Sequence, residues 1–354
     1  MGAINFIRVE GYNLLIHYHK DESKNLIHLL AEGLLDRLKD GNQKQKFRAS
    51  VSCCKNVKVV SISNKKFVTG YFHKSTKLEW DHVESNEEPV KETGSQRVMP
   101  AARFYIDVEN HNIYWITKVG ITGNPTIINF LSFLKNTSTD MLVGQYSMEF
   151  NEKYKPKIKG RSTKKIKKAL TEFLKENKVT TAEFKIELVP LIPSDMLHKF
   201  FTRKYKIMEI VLRPKKSNPK KKDFDDLLEK AEDTFSDANA DVEIKAKASN
   251  SKEGMDQKKL EKAVSKTLEE GTLLLKMKVK EKNEEEKGDF IVSNMKLSKK
   301  EHAGQMDISL KKQYKEKFEK IDLANVIKDV SKNTTKRIQE VGRVALDKLL
   351  EIIV

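Results

Sequence analysis

The sequence predicts an α+β protein built on mixed or antiparallel sheets, and three observations lead to this prediction. Hydrophobic residues make up 38% of the 354 residues, which is enough apolar material for a core. In several short runs apolar and polar residues alternate, as expected of half-buried strands, and in others apolar residues recur every three or four positions, as expected of helices. The chain length allows one large domain or two ordinary ones.

The first 143 residues are predicted to form an N-terminal α+β domain. Leucines and isoleucines at helical spacing predict a helix over 24–40, and Asp40-Gly41-Asn42 ends it. The polar and acidic stretch 84–97 is predicted to be an exposed loop. Strands are predicted over 3–20, 47–60 and 66–73, with a turn at Ser63-Asn64 between the last two.

Residues 101–118 carry the clearest hairpin pattern. Phe104, Ile106 and Val108 alternate with polar neighbours, and a second alternating run begins at Ile113 after the Glu-Asn-His-Asn turn. A helix is predicted after Pro125.

Residues 144–300 are predicted to form a second, basic domain of βαβ type. Strands and helices alternate there at a spacing typical of ferredoxin-like βαβ units. Strands are expected near 145–150, 184–188, 207–212, 241–248, 272–280 and 288–297, and helices near 162–177, 194–201, 223–235 and 256–270.

The chain ends in a stretch predicted to be one long amphipathic helix, residues 313–354. Its apolar residues follow each other in steps of three and four and trace one stripe. A stripe this apolar is expected to be buried, either against its own domain or against another subunit in a dimer.

Positive charge is concentrated in one fifth of the chain. The formal net charge is +17, and residues 151–222 contain 22 Lys and Arg against 7 Asp and Glu, a net +15. Such an excess predicts a polyanionic partner, with nucleic acid favoured and an acidic protein or an anionic membrane surface as the alternative.

This charge falls into two groups, the first basic segment (153–168) and the second basic segment (199–222). Lys155, Lys157 and Lys159 would share one side of an extended chain, and the first segment then enters a helix at Ser162-Thr163. Lysine outnumbers arginine heavily, so contacts to the phosphate backbone are expected rather than base reading. The residues predicted to bind are Lys155, Lys157, Lys159, Arg161, Lys164, Lys165, Lys167, Lys168, Arg203, Lys204, Lys206, Arg213, Lys215, Lys216, Lys220, Lys221 and Lys222.

Catalysis is the less favoured interpretation. Two strands carry a Glu-x-Lys pattern that Mg²⁺-dependent nucleases pair with an upstream Asp, namely Glu183 with Lys185 and Glu243 with Lys245. Alternating charge on a solvent-facing strand explains the same pattern. The sequence contains no phosphate-binding glycine loop, nucleophile elbow or zinc ligand set, so no cofactor and no metal are predicted.

The expected location is the cytoplasm. The first residues lack the basic and apolar regions of a signal peptide, and no apolar run is long enough to span a bilayer. Cys53 and Cys54 are the only cysteines, and because adjacent side chains on a strand point to opposite faces, no structural disulfide is expected between them.

Three stretches resemble a bacterial family found near phage-defence genes and, more loosely, the RexA-like phage-exclusion proteins. They are ARFYIDVENHNIYWITK, YKIMEIVLRPKKSNPKKKDFDDLLEKAED, and DVEIKAKASNSKEGM with the residues that follow it, together spanning about 101–298. The resemblance implies a two-domain, dimeric, DNA-binding protein of antiviral defence and abortive infection. It implies no catalytic residues, and it leaves room for a second defence protein as partner, including one embedded in a membrane.

Overall fold

The computed structural model of the chain describes residues 6–18, 29–40, 45–47, 50–80, 83–85, 88–90, 94–157, 162–177, 184–193, 205–214, 243–249, 253–258, 260, 273–281, 290–295, 305–307, 309–315, 318 and 321–329. Helices combine with antiparallel and mixed sheets, so the predicted α+β class is confirmed. The strands are β1 (Ile7–Tyr18), β2 (Gln45–Phe47), β3 (Ser50–Ile62), β4 (Lys65–Lys74), β5 (Thr76–Trp80), β6 (Val83–Ser85), β7 (Glu88–Val90), β8 (Gly94–Val98), β9 (Ala101–Asp107), β10 (Asn112–Lys118), β11 (Phe184–Pro190), β12 (Tyr205–Pro214), β13 (Ile244–Lys247), β14 (Leu273–Glu281), β15 (Phe290–Ser293), β16 (Gln305–Asp307) and β17 (Lys311–Tyr314). The α-helices are α1 (Leu35–Lys39), α2 (Ile127–Glu149), α3 (Thr163–Glu176) and α4 (Leu323–Asp329).

Eight strands form the first sheet, in the order β11-β1-β10-β9-β4-β3-β2, with β17 also paired to β1. All of these pairs are antiparallel. One edge of β1 pairs with β10 over residues 7–13, and the other edge is shared between β17 (residues 7–10) and β11 (residues 12–18). The predicted hairpin is β9–β10, and the predicted turn at Ser63-Asn64 joins β3 to β4 with positive φ at both residues.

One face of the first sheet is covered by helices. The side chain of Phe130 on α2 packs against three aromatic rings of the sheet, with centroid distances of 4.7 Å to Phe104, 5.3 Å to Phe72 and 5.4 Å to Trp115. The π-helical turn Leu30–Leu34 and α1 add further leucines to this core.

The opposite face of the first sheet is covered by the C-terminal part of the described chain. Leu310, Phe318 and Val326 are buried against side chains of β1, β4, β9 and β10. The Arg103 guanidinium lies 4.8 Å from the Tyr105 ring centroid and donates a hydrogen bond of 3.4 Å to the Phe318 carbonyl. Strands β1, β4, β9 and β10 of the first sheet are therefore covered on both sides.

The second sheet has five strands in the order β13-β12-β14-β15-β16. Both β13 and β14 run antiparallel to β12, so they are parallel to each other with β12 between them. One face carries the apolar core, in which Ile207, Leu275, Met277 and Val279 are fully buried.

The two sheets are joined where β11 ends. Leu191 enters the core of the first sheet and the next residue, Ile192, enters the core of the second. Asn294 adds polar contacts, because its amide donates to the Pro190 carbonyl (3.1 Å) and accepts from the Leu275 backbone N–H (2.7 Å). Gly11 of β1 bonds to both Leu191 and Leu310 through its backbone.

Residues 145–150 were predicted to form a strand, and this is wrong. They continue α2 and enter a π-helical turn, Phe150–Tyr154. Tyr146 and Phe150 lie four residues apart on the same side of this helix and both pack against Phe173. The predicted domain boundary at 143/144 therefore falls inside a helix, and β11 from the expected second domain belongs to the first sheet.

The C-terminal helix also differs from the prediction at its start. Residues 311–314 form β17 on the edge of β1, and the described helix α4 begins at Leu323 rather than at 313. Within 84–97, predicted as a loop, β7 and parts of β6 and β8 form small two-stranded pairings. The predicted helices 194–201 and 223–235 and residues 330–354 lie outside the described residues.

Over the ranges that the structure covers, no helix combines the length and the apolar character needed to span a membrane.

Candidate nucleic-acid interface

Helix α3 is the best-defined part of the first basic segment, and its ends follow from its sequence. The Ser162 hydroxyl caps the start by accepting the Lys165 backbone N–H at 3.3 Å, as expected of a serine in this position. The Asn177 side chain donates to the Phe173 carbonyl at 2.8 Å at the other end. The predicted helix over 162–177 is confirmed.

An aromatic cluster determines which side of α3 faces the protein. The Phe173 ring lies 4.9 Å from Tyr154, 5.5 Å from Phe150 and 6.3 Å from Tyr146, measured between centroids. All three partners lie on α2 or on the π-helical turn that follows it. Since an α-helix turns by about 100° per residue, docking through Phe173 points the residues on the other side toward solvent.

The solvent side of α3 is rich in lysine. Lys164, Lys165, Lys167 and Lys168 are all exposed, and the first turn contains no acidic residue. Lys168 makes a long ion pair of 3.9 Å with Glu172, an exposed contact that contributes little to stability. We call these four lysines the α3 lysine face. The positive end of the helix dipole lies beside them, which adds to the attraction for anions.

The rest of the first basic segment is arranged differently from the prediction. Residues Lys155–Lys157 form a short 3₁₀ turn that continues from the preceding helix, so these two lysines do not lie on an extended chain. Lys155 is exposed, and Lys153 pairs with Glu149 at 3.2 Å. Lys159 and Arg161 lie outside the described residues.

The second basic segment is described only along β12. Lys206 is half-buried, and exposed Arg213 forms an ion pair of 2.6 Å with Glu243 on the chain entering β13. The remaining predicted binding residues of this segment lie outside the described residues: Arg203, Lys204, Lys215, Lys216, Lys220, Lys221 and Lys222.

The alternative nuclease residues fall in two places. Glu243 is paired with Arg213, and Lys245 makes an ion pair of 2.9 Å with Glu209 of β12. Lys185 belongs to β11, and Glu183 lies outside the described residues. Among the residues that the structure describes, no group of three or more His, Cys, Asp or Glu side chains is placed to hold a metal ion.

The structure brings together a second basic surface that was not identified in the sequence. On the second sheet, the side opposite the apolar core carries Lys206 and Arg213 of β12, Lys245 and Lys247 of β13, and Lys276, Lys278 and Lys280 of β14. We call these seven cations, with Glu209 and Glu243 beside them, the outer face. The sequence did contain a signal for this surface, because lysines alternate with apolar residues along two strands. The two runs are Ile244-Lys245-Ala246-Lys247 and Leu275-Lys276-Met277-Lys278-Val279-Lys280.

Asp307 lies at the β16 edge of the same sheet and is already bonded. Burial by itself would raise the pKa of this carboxyl group, but hydrogen bonds from Lys311 and Ser309 outweigh that effect and hold the pKa below its usual range. The Asp307–Lys311 contact is 2.7 Å long.

Comparisons of the chain with protein-family models, curated proteins and solved structures find no significant match.

Proposed function

We propose that this protein binds double-stranded DNA without catalysing a reaction on it, and that the α3 lysine face is a principal contact surface. The observation that carries the proposal is the placement of Lys164, Lys165, Lys167 and Lys168. All four are exposed on a helix whose other side is anchored by Phe173. Lysine ammonium groups on a rigid helix suit contact with phosphates, which supply most of the sequence-independent affinity for DNA.

The proposal includes little base reading. The described part of the α3 surface presents lysine and not arginine, and lysine acts as a point charge without a planar fork. Direct reading of bases in the major groove relies largely on bidentate groups such as Arg, Asn and Gln. Binding is therefore expected to depend on salt far more than on DNA sequence.

The biological setting is part of the same proposal and rests on the resemblance to phage-defence proteins. The protein would act in the cytoplasm as a homodimer in anti-phage defence by abortive infection, with a second defence protein as partner. In its finer architecture, the chain between β13 and β14 would supply the helix of a ferredoxin-like βαβ unit, and α4 would continue into a long C-terminal helix.

The test is a salt titration of binding to a fluorescent duplex, read by anisotropy, with Mg²⁺ or EDTA present and duplex length checked by electrophoresis. Wild-type protein should bind an intact duplex, with log affinity falling by roughly 0.9 per phosphate contact as log salt rises. Replacing Lys164, Lys165, Lys167 and Lys168 with Glu should weaken binding strongly and reduce the salt slope by about 1 for each phosphate that is no longer neutralised.

A matched variant controls for net charge. Replacing Lys39, Lys55, Lys58 and Lys315 with Glu changes the charge equally at exposed positions on other elements and should leave most of the affinity intact. Equal losses of affinity in both variants, or no duplex binding at roughly 50 mM salt, would contradict the proposal. Duplex cleavage that requires Mg²⁺ would instead support the nuclease interpretation.

A further inference from the structure

The second sheet has an outer face whose charge is strongly one-sided. Its core side is closed by apolar residues such as Leu275, Met277 and Val279, so the residues between them on β14 point to the other side. Lys276, Lys278 and Lys280 therefore form a row along β14, with successive members about 6.7 Å apart given a rise of about 3.3–3.4 Å per residue.

The neighbouring strands widen this row into a surface. Lys206 of β12 lies opposite Lys280, and Glu209 lies opposite both Lys278 of β14 and Lys247 of β13. Lys206 and Lys280 thus lie side by side at the separation of paired strands, about 4.8 Å, whereas Lys278 and Lys247 flank Glu209 at about twice that separation.

The two acidic residues of the outer face form ion pairs with cations of the same face. Glu209 pairs with Lys245 at 2.9 Å, and Glu243 pairs with Arg213 at 2.6 Å. Among the described residues of β12, β13 and β14 on this face, with Glu243 beside them, seven cations thus stand against two acids. A strand surface that serves solubility alone mixes both signs evenly, whereas the described part of this one carries more cations than acids.

The side chains between the cations indicate what kind of polyanion would fit. Val211, Leu274, Ile291 and Met295 form a small apolar cluster, and none of the described side chains on this face is aromatic. Surfaces that hold single strands stack bases on aromatic rings, and the described part of this face presents none. Rows of ammonium groups without rings suit the regularly spaced phosphates of a duplex backbone.

We propose that the outer face of the second sheet is a further contact surface for the phosphate backbone of a nucleic-acid duplex, separate from the α3 lysine face. This inference rests on the proposed function, since it assigns a second surface to the same class of ligand. The residues assigned to it are Lys206, Lys245, Lys247, Lys276, Lys278 and Lys280.

The experiment replaces Lys276, Lys278 and Lys280 together with Gln in the full chain, which removes charge while keeping long polar side chains on the strand. Binding to a fluorescent duplex is measured across a salt series, beside a single strand of equal length and vesicles containing anionic lipid. The control variant replaces exposed Lys39, Lys55 and Lys58 with Gln. Far-ultraviolet circular dichroism confirms that each variant is folded, and the single variant Lys278→Gln serves if the triple variant does not fold.

The triple variant is expected to bind the duplex more weakly, with a salt slope reduced by about 1 for each phosphate that is no longer neutralised, and the control variant should be weakened much less. The single variant should show the same effect at about one third of the size in the slope. Unchanged duplex binding in the triple variant, or equal weakening in the control, would overturn the inference. Loss of vesicle binding with duplex binding preserved would overturn it in favour of a membrane surface.

The two proposals fail in different ways. If wild-type protein does not bind the duplex at all, the proposed function fails and this inference fails with it. If wild-type protein binds and the α3 variant is weakened while the triple variant is not, only the outer-face inference is wrong.

Discussion

The two sheets of this protein differ in how their faces are covered. In the first sheet, neighbouring residues of one strand are buried on opposite sides, as Tyr114 and Trp115 of β10 show. In the second sheet, alternate residues of β14 are buried, while the lysines between them are exposed or half-buried. The central strands of the first sheet are an interior layer, whereas on the second sheet one face carries lysines that reach solvent.

This difference separates a sheet whose faces serve packing from a sheet that also presents charge to solvent. A sheet covered on both sides contributes stability and has no open surface, because its side chains are committed to the two cores. A sheet whose core lies mainly on one face can carry charge on the other face at little cost to folding. The cations of β14 are thus placed where they do not compete with packing.

The largest effect is expected from removing the centre of the first core. Phe130→Ala should destabilise the protein by about 3–5 kcal/mol, because the Phe130 ring contacts Phe72, Phe104 and Trp115 and the vacated volume cannot be refilled. Urea unfolding followed by tryptophan fluorescence measures this change, since Trp115 is among the contacts.

The exposed residue Ile128 on the same helix provides the control. Its relative exposure is 67%, so Ile128→Ala should change the free energy of unfolding by no more than about 0.5 kcal/mol. Both substitutions introduce alanine, the strongest helix former, so equal destabilisation by the two would show that contacts of the buried cluster do not determine the effect.

A smaller effect is expected where the two sheets join. A Cβ atom at Gly11 would lie 2.5 Å from the Leu310 side chain, so Gly11→Ala should destabilise the protein by about 1–3 kcal/mol. Gly144 lies inside α2, and its nearest neighbour would be an Arg37 nitrogen at 3.5 Å. Gly144→Ala should therefore stabilise by about 0.5–1 kcal/mol.

Thermal unfolding of both glycine variants measures these changes, and opposite signs are expected. A stabilising Gly11→Ala would mean that β1 does not approach Leu310 as closely as the structure has it.

The smallest effect on stability is expected on the outer face. Replacing Glu209 and Glu243 with Gln removes two partly exposed ion pairs and should change stability by no more than about 1 kcal/mol. The same change raises the positive charge of the face, so duplex affinity should rise and its salt dependence should steepen. Anisotropy titration checks this expectation.

The matched variant for that test replaces Asp36 and Asp140, both exposed on helices of the first sheet, with Asn. An equal gain in affinity there would show that net charge alone attracts DNA, without a contribution from where the charge lies.

Local patterns in the sequence were sufficient for many elements. Alternating residues predicted β9–β10 and β14, and the helix expected to begin at Ser162-Thr163 is α3. The segment 145–150 was mistaken for a strand because Tyr146 and Phe150 have strand-forming side chains. Their packing against Phe173, which is distant in sequence, keeps them helical.

The candidate site was predicted in part. Clustered lysines identify α3 from the sequence, because neighbouring charges are visible without a fold. The outer face as a whole was missed, because its cations come from three separate strands and those of β13 and β14, such as Lys247 and Lys276, lie outside both basic segments. Only the register of β13, β12 and β14 places them together.

Residues close together in the chain account for the α+β class, the main strands and helices of the described chain, the capped start of α3 and the large positive charge. Periodicity, capping and composition express these features, so they can be predicted without a fold. Long-range packing is what joins β11 and β17 to the first sheet, covers the second face of that sheet with residues from 310–327, and collects cations on the outer face of the second sheet. These features depend on strand order and on burial between distant segments, which local spacing does not encode.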